Sequence, residues 1–582
     1  MRGTLLALVL TAITATAAGP ACASPPVGAG GRFDRPQDGF SSAETVLRPG
    51  SPEQAGLAAA PIDDALRRIG AWTGPTPGRE HPMFAGAVAL LAHDGVVVRH
   101  EAFGKEVRYS DAQGTELPPQ QQEPMRPDTI FDVASLTKLF TSIAVLQQVE
   151  DGDVDLDTPV AHYLPEFGGQ GKQSITVRQL LTHTSGLPSE VQLWKLPPQE
   201  RIPHVLRLSP EKPPGTAYQY SDPNFITLGV LVSRMADAPL DQVVRERITG
   251  PLGMDDTGYN PPPSELHHIA ATEFQTEPPR GMVRGEPHDE NAWSLGGVAG
   301  EAGLFSTAHD LGVLGQALVN GGGYGEQRIL QPETVERMLT DYNGAFPGDG
   351  HGLGFELDQR WYMAGLSGPR TAGHTGFTGT SLVLDPDSRS VVVLLTNRVH
   401  PTREWGSNNP AREAIAQAMA EALAVRPERG SESWGAPAAA PATLRTRDLG
   451  PVAGQAEVSF DAFVDTQRDP DGADPLLLES SVDGGASWRP VPVTANGPGA
   501  PEGPQQSLAG SGHRAWWQVR GTVDAQPGQH VQVRWRYAPD KQYTGRGVLV
   551  DGISVADRDR TLLDGEREPQ GFDPRGWAPV HR

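Results

Sequence analysis

A change in sequence pattern near residue 430 divides this chain into two parts with different secondary structure. Before it, several segments place apolar residues at helical spacing, and after it helical periodicity is absent. The segment 426–443, which contains the Pro- and Ala-rich run 435–441, has the composition of a linker. Because 582 residues exceed what a single hydrophobic core usually supports, we expect at least two domains on the two sides of this linker.

The first part of the chain, 51–425, orders strands and helices as α+β domains do. Strand patterns predict two hairpins, at 86–103 around Asp94-Gly95 and at 381–396 around Pro386-Asp387-Ser388. Strands therefore stand near both ends of this part, with helices between them. We expect one antiparallel sheet that both ends of the domain complete and that helices flank.

Two predicted helices are relevant to the candidate catalytic residues described below. One runs from Ser135 to about Glu150 and is largely apolar. The other closes the domain, with Asn409 as N-cap and Pro410 at the first helical position, and continues to about Ala424.

The last part of the chain, 444–582, is predicted to be an all-β sandwich. Val531, Val533, Trp535 and Tyr537 alternate with polar residues, which is the pattern of a half-buried strand. Segments 456–464 and 547–555 also have strand patterns, and the second of them resembles a strand of jelly-roll modules. Exposed aromatic residues such as Trp516 or Trp517 would suit contact with cell-wall glycan, although one of the pair is expected in the core.

The N-terminus has the features of an export signal. Arg2 precedes the apolar run 5–18, and Ala21-Cys22-Ala23 is a small-residue cleavage site. We expect a signal peptide at 1–23, a flexible lead at 24–50 and a secreted protein. Cleavage after Ala23 would remove the one cysteine of the chain, which excludes thiol nucleophiles, disulfides and thiolate metal sites in the mature protein.

The charge of the chain limits its partners. A formal net charge of −23 repels phosphate backbones, so we expect no nucleic-acid partner. No segment after the signal has the length and apolarity of a stable membrane span. No residue spacing indicates a metal site or another cofactor.

Ser135-Leu136-Thr137-Lys138 is the first candidate for catalysis. At the start of a helix, residues three apart share one face, so the lysine amine can reach the serine hydroxyl. A neutral amine can take the hydroxyl proton, and burial and neighbouring cations favour that neutral form. A serine at this place is also an ordinary N-cap. The same four-residue pattern recurs at Ser209, but in a Pro-rich stretch where no helix can continue, and we interpret that copy as a decoy.

Two later motifs support a catalytic role for the Ser135 motif. Tyr220-Ser221-Asp222 and His374-Thr375-Gly376 follow it in chain order. Ser-x-x-Lys, Tyr-x-Asn and Lys-Thr-Gly, in this order, mark class C β-lactamases and penicillin-binding proteins, and residues 51–425 resemble that superfamily. Related esterases and D-aminopeptidases often carry His-x-Gly at the third motif. The segments 181–188 and 296–300 also resemble sequence segments of these serine hydrolases.

The resemblance implies a role for each matching residue. Ser135 would form the acyl-enzyme, Lys138 would deprotonate it, and Tyr220 would pass a proton to the leaving group. The backbone N–H groups of Ser135 and Phe377 would form the oxyanion hole. His374 is counted with the catalytic residues, and substrate binding falls to the three remaining motif positions, Asp222, Thr375 and Gly376.

Two departures from the family pattern bear on the substrate. Asp222 replaces the usual Asn, and an ionised carboxylate accepts hydrogen bonds but donates none. His374 replaces the Lys that faces a substrate carboxylate, and a neutral imidazole attracts that carboxylate less. Both changes favour a secreted hydrolase of esters or D-amino-acid amides. The alternatives are a D,D-carboxypeptidase or β-lactamase that takes D-peptide or lactam substrates, and, in another class, a catalytically idle glycan- or cell-wall-binding protein.

Overall fold

A computed structural model describes most of the chain. The described residues are 31–436, 440–469, 472–540, 545–558 and 560–581. The predicted signal peptide, 1–23, and the first residues of the predicted lead lie outside them. Among the described residues, no helix is both long and apolar enough to cross a membrane.

An eight-stranded sheet forms the centre of the first domain. In spatial order the strands run β1-β3-β2-β8-β7-β6-β5, and β4 pairs with the far part of β3. All the pairs are antiparallel except β1 with β3. The strands are β1 Arg48–Pro49, β2 Gly86–His93, β3 Val96–Val107, β4 Glu123–Pro124, β5 Glu356–Leu357, β6 Ala372–Thr375, β7 Ser381–Asp385 and β8 Ser390–Thr396. Since β2 pairs with β8, both ends of the domain complete one sheet, which confirms the predicted α+β class.

Helices cover both faces of this sheet because its strands are apolar on both faces. Along β2, Val88 and Leu90 join a core with helices α2, α3 and α4, while Ala89 and Leu91 join a second core with α1 and α5. The five helices are α1 Ala59–Ala71, α2 Thr137–Asp151, α3 Asp222–Ala236, α4 Ala308–Val319 and α5 Asn409–Ala422. The site described below lies where α2, α3 and β6 meet.

Shorter elements fill the connections. The other α-helical segments are Val160–Tyr163, Val177–Leu181, Pro198–Leu206, Leu240–Val244, Gly250–Leu252, Glu290–Ser294, Pro332–Met338 and Arg360–Met363, with a π-helical turn at Arg245–Thr249. A small sheet joins Phe131–Asp132, Leu304–Ser306 and Gly258–Tyr259, and two-stranded ribbons occur at Phe274–Thr276 with Pro279–Met282, Gly323–Tyr324 with Gln327–Arg328, and Arg468–Asp469 with Gly472–Ala473. The small sheet matters for function because its first strand leads directly to Ser135.

The C-terminal module consists of two β-sheets around one apolar core, which confirms the predicted all-β class. The first sheet contains Val493–Asn496, Trp516–Val523, Ala456–Asp465, Gly547–Asp557, Ser433–Ala436 and Ala578–Val580, with Arg560–Asp564 paired to Gly547–Asp557. The second contains Arg489–Pro490, Leu476–Ser481, Gln532–Tyr537, Ala442–Thr446 and Phe572–Arg575. Two of these strands, Ser433–Ala436 and Ala442–Thr446, begin inside the segment predicted as a linker. Trp434 pairs in register with Val550 and Pro579, so this part of the chain belongs to the module.

The module packs against the first domain through an ion pair and an apolar cluster. Arg514 of the module lies 2.7 Å from Asp385 at the end of β7, and both side chains are almost fully buried. Phe463 of the module and Phe33 of the predicted lead share the core that contains α1 and α5. The described part of the lead, 31–50, is therefore packed rather than flexible, because Phe33 is buried between the two domains.

Candidate active site

Ser135 lies on a 3₁₀ turn, Ala134–Leu136, that leads from the small sheet into α2. Ala134 has a φ of 48°, which is uncommon for a residue with a side chain, and Oδ1 of Asp132 accepts a hydrogen bond from its N–H. Oδ2 of Asp132 accepts a second bond, from the N–H of His288. A buried carboxylate therefore fixes the turn just before Ser135, and strained backbone of this kind is often found at functional sites.

Lys138, one turn into the helix, points its amine at Ser135. Its Nζ donates hydrogen bonds of 3.1 Å to Oγ of Ser135 and 3.1 Å to the carbonyl oxygen of Glu301. The same Nζ lies 2.8 Å from Oδ1 of Asp222, the first residue of α3. An ammonium group carries three N–H bonds, so these three oxygen atoms fit the protonated form of the fully buried Lys138.

The charge around Lys138 differs from what the sequence led us to expect. Burial acts to lower the pKa of Lys138, but Asp222 and Tyr220 together outweigh it, and the pKa lies above the ordinary lysine value. The serine-lysine motif calls for an amine that can become neutral, whereas the carboxylate of Asp222, 2.8 Å away, favours the charged form. Asp222, predicted to bind substrate, is thus a direct partner of Lys138.

Tyr220 completes the group with its phenol close to both other side chains. The Nζ of Lys138 lies 4.9 Å from the centre of the Tyr220 ring. Burial raises the pKa of the Tyr220 phenol to about 12, although the Lys138 charge and hydrogen bonds with Lys138 and Ser135 act to lower it. The structure therefore brings the hydroxyl, the amine and the phenol into one cleft, as their motif order predicts.

His183 packs against the ring of Tyr220. Its imidazole stacks on the Tyr220 ring with centres 4.5 Å apart, and its Nδ1 accepts a hydrogen bond of 3.0 Å from the N–H of Ser221. Burial lowers the pKa of His183 well below its ordinary value, so the ring is neutral. His183 positions Tyr220 and its neighbours, and it does not reach the cleft as a lining residue.

His374 lies on β6 with its ring centre 6.1 Å from that of Tyr220. Burial lowers the pKa of His374 to about 3, and the charge of Lys138 adds to this effect. Its Nδ1 lies 2.7 Å from the carbonyl oxygen of Thr375. At neutral pH the third motif therefore presents an uncharged ring where the family pattern has a lysine.

The loop after β6 carries the second predicted oxyanion donor. Within the described ranges, neither the N–H of Ser135 nor that of Phe377 donates to another protein group. Gly376 packs so tightly that a Cβ there would lie 2.4 Å from the carbonyl oxygen of Val133, so only glycine fits. Two N–H groups without protein acceptors, on a turn and a loop held this close together, are what an oxyanion hole requires.

These residues line a cleft of about 250 Å³. Its lining includes Ser135, Tyr220, Glu356, His374, Thr375, Gly376, Phe377, Arg398, Ser407, Asn408 and Arg412. Sequence reasoning missed the charged members Glu356, Arg398 and Arg412. Arg412 sits three residues after Asn409 in the Asn-Pro start of α5, which was interpreted only as a helix start.

The start of α5 also differs by one residue from its prediction. The N-cap is Asn408 rather than Asn409, and its amide donates to Gly379 O and Thr396 Oγ1 instead of capping the helix. The Asn409 side chain instead accepts a hydrogen bond from Arg412.

Three other residues of interest lie away from this cleft. Ser209 is exposed, as expected of a decoy. Trp517 is buried in the module core, while Trp516 packs against the Phe463 ring and donates to the carbonyl of Arg426. Trp517 is therefore not available to stack on a sugar, Trp516 is partly exposed, and glycan contact by the module stays a prediction.

Comparison with known proteins gives one family and many relatives. The Beta-lactamase family matches residues 76–417, more than half of the chain. The protein named "Putative D-alanyl-D-alanine carboxypeptidase" of Escherichia coli (strain K12) is 30% identical over 400 residues, which cover 63% of this chain and 88% of that protein.

Solved structures of similar proteins cover a comparable share of the chain. A penicillin-binding protein homologue from Caulobacter crescentus is 22% identical with a TM-score of 0.49, over 62% of this chain and 97% of that one. A family VIII carboxylesterase is 23% identical with a TM-score of 0.48, over 62% and 97% of the two chains.

Proposed function

The chain belongs to the Beta-lactamase family of serine hydrolases, and from that premise we propose that Ser135 forms an acyl-enzyme with esters or D-amino-acid amides. The contact of 3.1 Å between Ser135 Oγ and Lys138 Nζ, beside the Tyr220 phenol, carries the proposal. It argues against an idle site, because a binding protein has no need of these three groups in contact.

Acylation begins from the form of the enzyme in which Lys138 and Tyr220 together have lost one proton to the solvent. The vacated site accepts the Ser135 proton as Oγ attacks the substrate carbonyl carbon. The N–H groups of Ser135 and Phe377 bind the oxyanion that forms. When the carbonyl reforms, the bond to the leaving group breaks, and Tyr220 returns the proton to the departing oxygen or nitrogen.

Deacylation repeats these steps with water in place of the serine. The Lys138 and Tyr220 pair takes a proton from water, the hydroxide adds to the acyl carbon, and the bond to Ser135 Oγ breaks. Oγ recovers its proton, and the product leaves as a free acid.

Covalent labelling tests this proposal. Incubation with a fluorophosphonate, followed by intact-protein mass measurement, is expected to add one label to the wild type and to Ser209→Ala, and none to Ser135→Ala. Ser209→Ala is a matched control because Ser209 begins the second Ser-x-x-Lys pattern. Labelling that survives Ser135→Ala and disappears in Ser209→Ala would overturn the assignment, and absence of wild-type labelling would favour the idle binder.

The neutral His374 ring supports a substrate without a carboxylate beside the reacting bond. A specific observation nevertheless favours a second candidate, a D,D-carboxypeptidase. The Arg398 guanidinium lines the cleft and lies 4.4 Å from the exposed Phe377 ring, so it can supply the cation that His374 does not. The name of the Escherichia coli relative points the same way.

A substrate pair separates the two candidates. Hydrolysis of p-nitrophenyl acetate is compared with that of a peptide ending in D-Ala-D-Ala and of the same peptide with an amidated end. An esterase is expected to hydrolyse p-nitrophenyl acetate, and amidation of the peptide is not expected to change its activity. A carboxypeptidase loses activity on amidation, and Arg398→Met is then expected to raise KM for the free acid alone.

We also propose that the chain is exported and cleaved after Ala23. The basic residue, the apolar run and the small-residue site at the N-terminus support this proposal. N-terminal sequencing of protein recovered from the culture medium is expected to begin at Ser24. Recovery from the cell interior with Met1 retained would contradict it.

A further inference from the structure

We propose that Arg412 is a positioning residue that holds and polarises the peptide between Gly376 and Phe377, and so strengthens the second donor of the oxyanion hole. This inference rests on the proposed acyl-enzyme function of Ser135. It extends that function to a residue on α5 that the sequence did not single out.

The geometry concerns the two ends of one peptide group. The carbonyl of Gly376 and the N–H of Phe377 belong to the same planar unit and point in opposite directions. Nη2 of Arg412 donates a hydrogen bond of 2.8 Å to that carbonyl oxygen. The guanidinium therefore binds the carbonyl end of this peptide group, and the N–H end stays available to the substrate.

The first turn of α5 holds the rest of the loop in the same way. Nη2 of Arg412 also donates to the carbonyl of Thr380 at 3.0 Å, and the Asn408 amide donates to the carbonyl of Gly379 at 2.9 Å. Thr380 Oγ1 in turn donates to the carbonyl of Val133, two residues before Ser135. One helix end thus fixes the loop against the turn that carries the other oxyanion donor.

Arg412 is unusual in being a buried cation held by neutral groups. It is 7% exposed, and within the part of the chain that the structure describes no carboxylate lies within 4.0 Å of its guanidinium. Its hydrogen-bond acceptors are two carbonyl oxygens and the side-chain oxygen of Asn409. Burial lowers its pKa to about 10, so it is still charged at neutral pH. Glu356 acts on this buried cation through its charge and not through a hydrogen bond, so the hydrogen bonds of Arg412 are directed at neutral oxygens, two of them peptide carbonyls.

Such a contact acts on the reaction through the peptide dipole. Hydrogen bonds from a charged donor are roughly twice as strong as neutral ones, and linked bonds polarise one another. Withdrawing electron density at the Gly376 carbonyl makes the Phe377 N–H a better donor. Because the oxyanion exists only in the transition state, the benefit falls on kcat rather than on KM.

Direct contact between Arg412 and a substrate carboxylate is the competing explanation, because Arg412 also lines the cleft. A neutral substrate distinguishes contact with a substrate carboxylate from polarisation of the peptide. Loss of a carboxylate ligand affects charged substrates alone and acts on KM. Loss of peptide polarisation affects p-nitrophenyl acetate as well and acts on kcat.

The experiment compares the wild type with Arg412→Met, Arg412→Lys and, as the control, Arg520→Met on p-nitrophenyl acetate. Removing a whole oxyanion donor costs ~10²–10³ in kcat, so weakening one is expected to lower kcat about 10- to 100-fold in Arg412→Met, with KM changed less than about threefold. Arg412→Lys keeps the charge but loses the planar guanidinium whose Nη2 donates to both carbonyls, and its kcat is expected to fall between those of the wild type and Arg412→Met. Arg520→Met removes an arginine of the C-terminal module that is 71% exposed, and it is expected to leave kcat for this ester near that of the wild type.

A boronic acid that forms a tetrahedral adduct with Ser135 gives an independent readout. Its affinity is expected to fall in parallel with kcat in the Arg412 variants, because the adduct uses the same two N–H groups. Unchanged kcat in folded Arg412→Met overturns the proposal, as does an effect confined to KM. If Arg412→Met does not fold, unchanged kcat in Arg412→Lys overturns it. Failure of the wild type to label with fluorophosphonate would instead refute the acyl-enzyme function itself.

Discussion

Nζ of Lys138 lies 2.8 Å from Oδ1 of Asp222, two residues after Tyr220, so the buried amine beside Ser135 forms an ion pair with a partly exposed carboxylate. The superfamily pattern described above has an asparagine at this position, which carries no charge. With aspartate, the lysine keeps its proton to higher pH, and in the proposed mechanism the form that accepts the Ser135 proton is rarer at neutral pH.

We therefore predict that Asp222→Asn moves the pH dependence of the reaction to lower pH. Asp222 raises the pKa of Lys138 against the lowering effect of burial, so removing its charge lets that pKa fall. An opposite charge at this distance is worth about 1–3 pKa units. The rising alkaline limb of kcat/KM against pH is expected to shift downward by a comparable amount.

Asp237→Asn is the control for this shift. Asp237 is exposed at the other end of α3, and the substitution makes the same change of charge far from Lys138. A limb that stays in place in Asp222→Asn, or that moves equally in both variants, would show that the ion pair does not set it.

The sequence could predict the residues of the site that repeat a local pattern. Ser135 and Lys138 are three apart on one helix, and Tyr220 and His374 belong to short motifs in a fixed order. Their placement around one cleft follows once β6, α2 and α3 are packed in the predicted α+β arrangement. These features need only local spacing and fold class.

The remaining features depend on contacts between distant parts of the chain. Arg398 and Arg412 carry no motif, and they reach the cleft only because the end of β8 and the start of α5 pack beside the loop after β6. The pairing of Asp222 with Lys138 joins residues 84 positions apart. The Pro-rich lead and linker were predicted from composition, which does not register that Phe33 and Trp434 are buried or half-buried against other elements.

Gly376→Ala is predicted to damage catalysis more than folding. A Cβ at Gly376 would lie 2.4 Å from the carbonyl oxygen of Val133, and so the loop must move away from Ser135. Displacing the Phe377 N–H is expected to lower kcat about 10²-fold, the effect of losing one oxyanion donor. Gly258→Ala, where a Cβ meets nothing within 4 Å, is expected to keep wild-type kcat. Steady-state kinetics with p-nitrophenyl acetate would check both, and equal kcat values would contradict the prediction.

Arg514→Met is predicted to destabilise the whole protein. Arg514 is 1% exposed and pairs with the fully buried Asp385 of the other domain, so the substitution leaves a buried carboxylate without its partner. Breaking a buried pair from one side costs about 3–5 kcal/mol in the free energy of unfolding. Arg520→Met removes an arginine that is 71% exposed and 3.9 Å from Glu457, and a change within about 0.5 kcal/mol is expected. Denaturant unfolding would measure both, and similar values for the two variants would show that the interface pair adds little.

A titration near neutral pH is predicted to come from Glu356 and not from His374. Burial raises the pKa of Glu356 to about 7, whereas the pKa of His374 is lowered to about 3, so only Glu356 gains charge as the pH rises through neutrality. Glu356 lines the cleft, and its negative charge opposes the binding of a substrate carboxylate. KM for a substrate that carries a carboxylate is therefore expected to rise above pH 7, while KM for p-nitrophenyl acetate stays level. Glu356→Gln is expected to abolish the rise and His374→Gln to keep it. A rise that disappears only in His374→Gln would assign the titration to the imidazole and contradict the prediction.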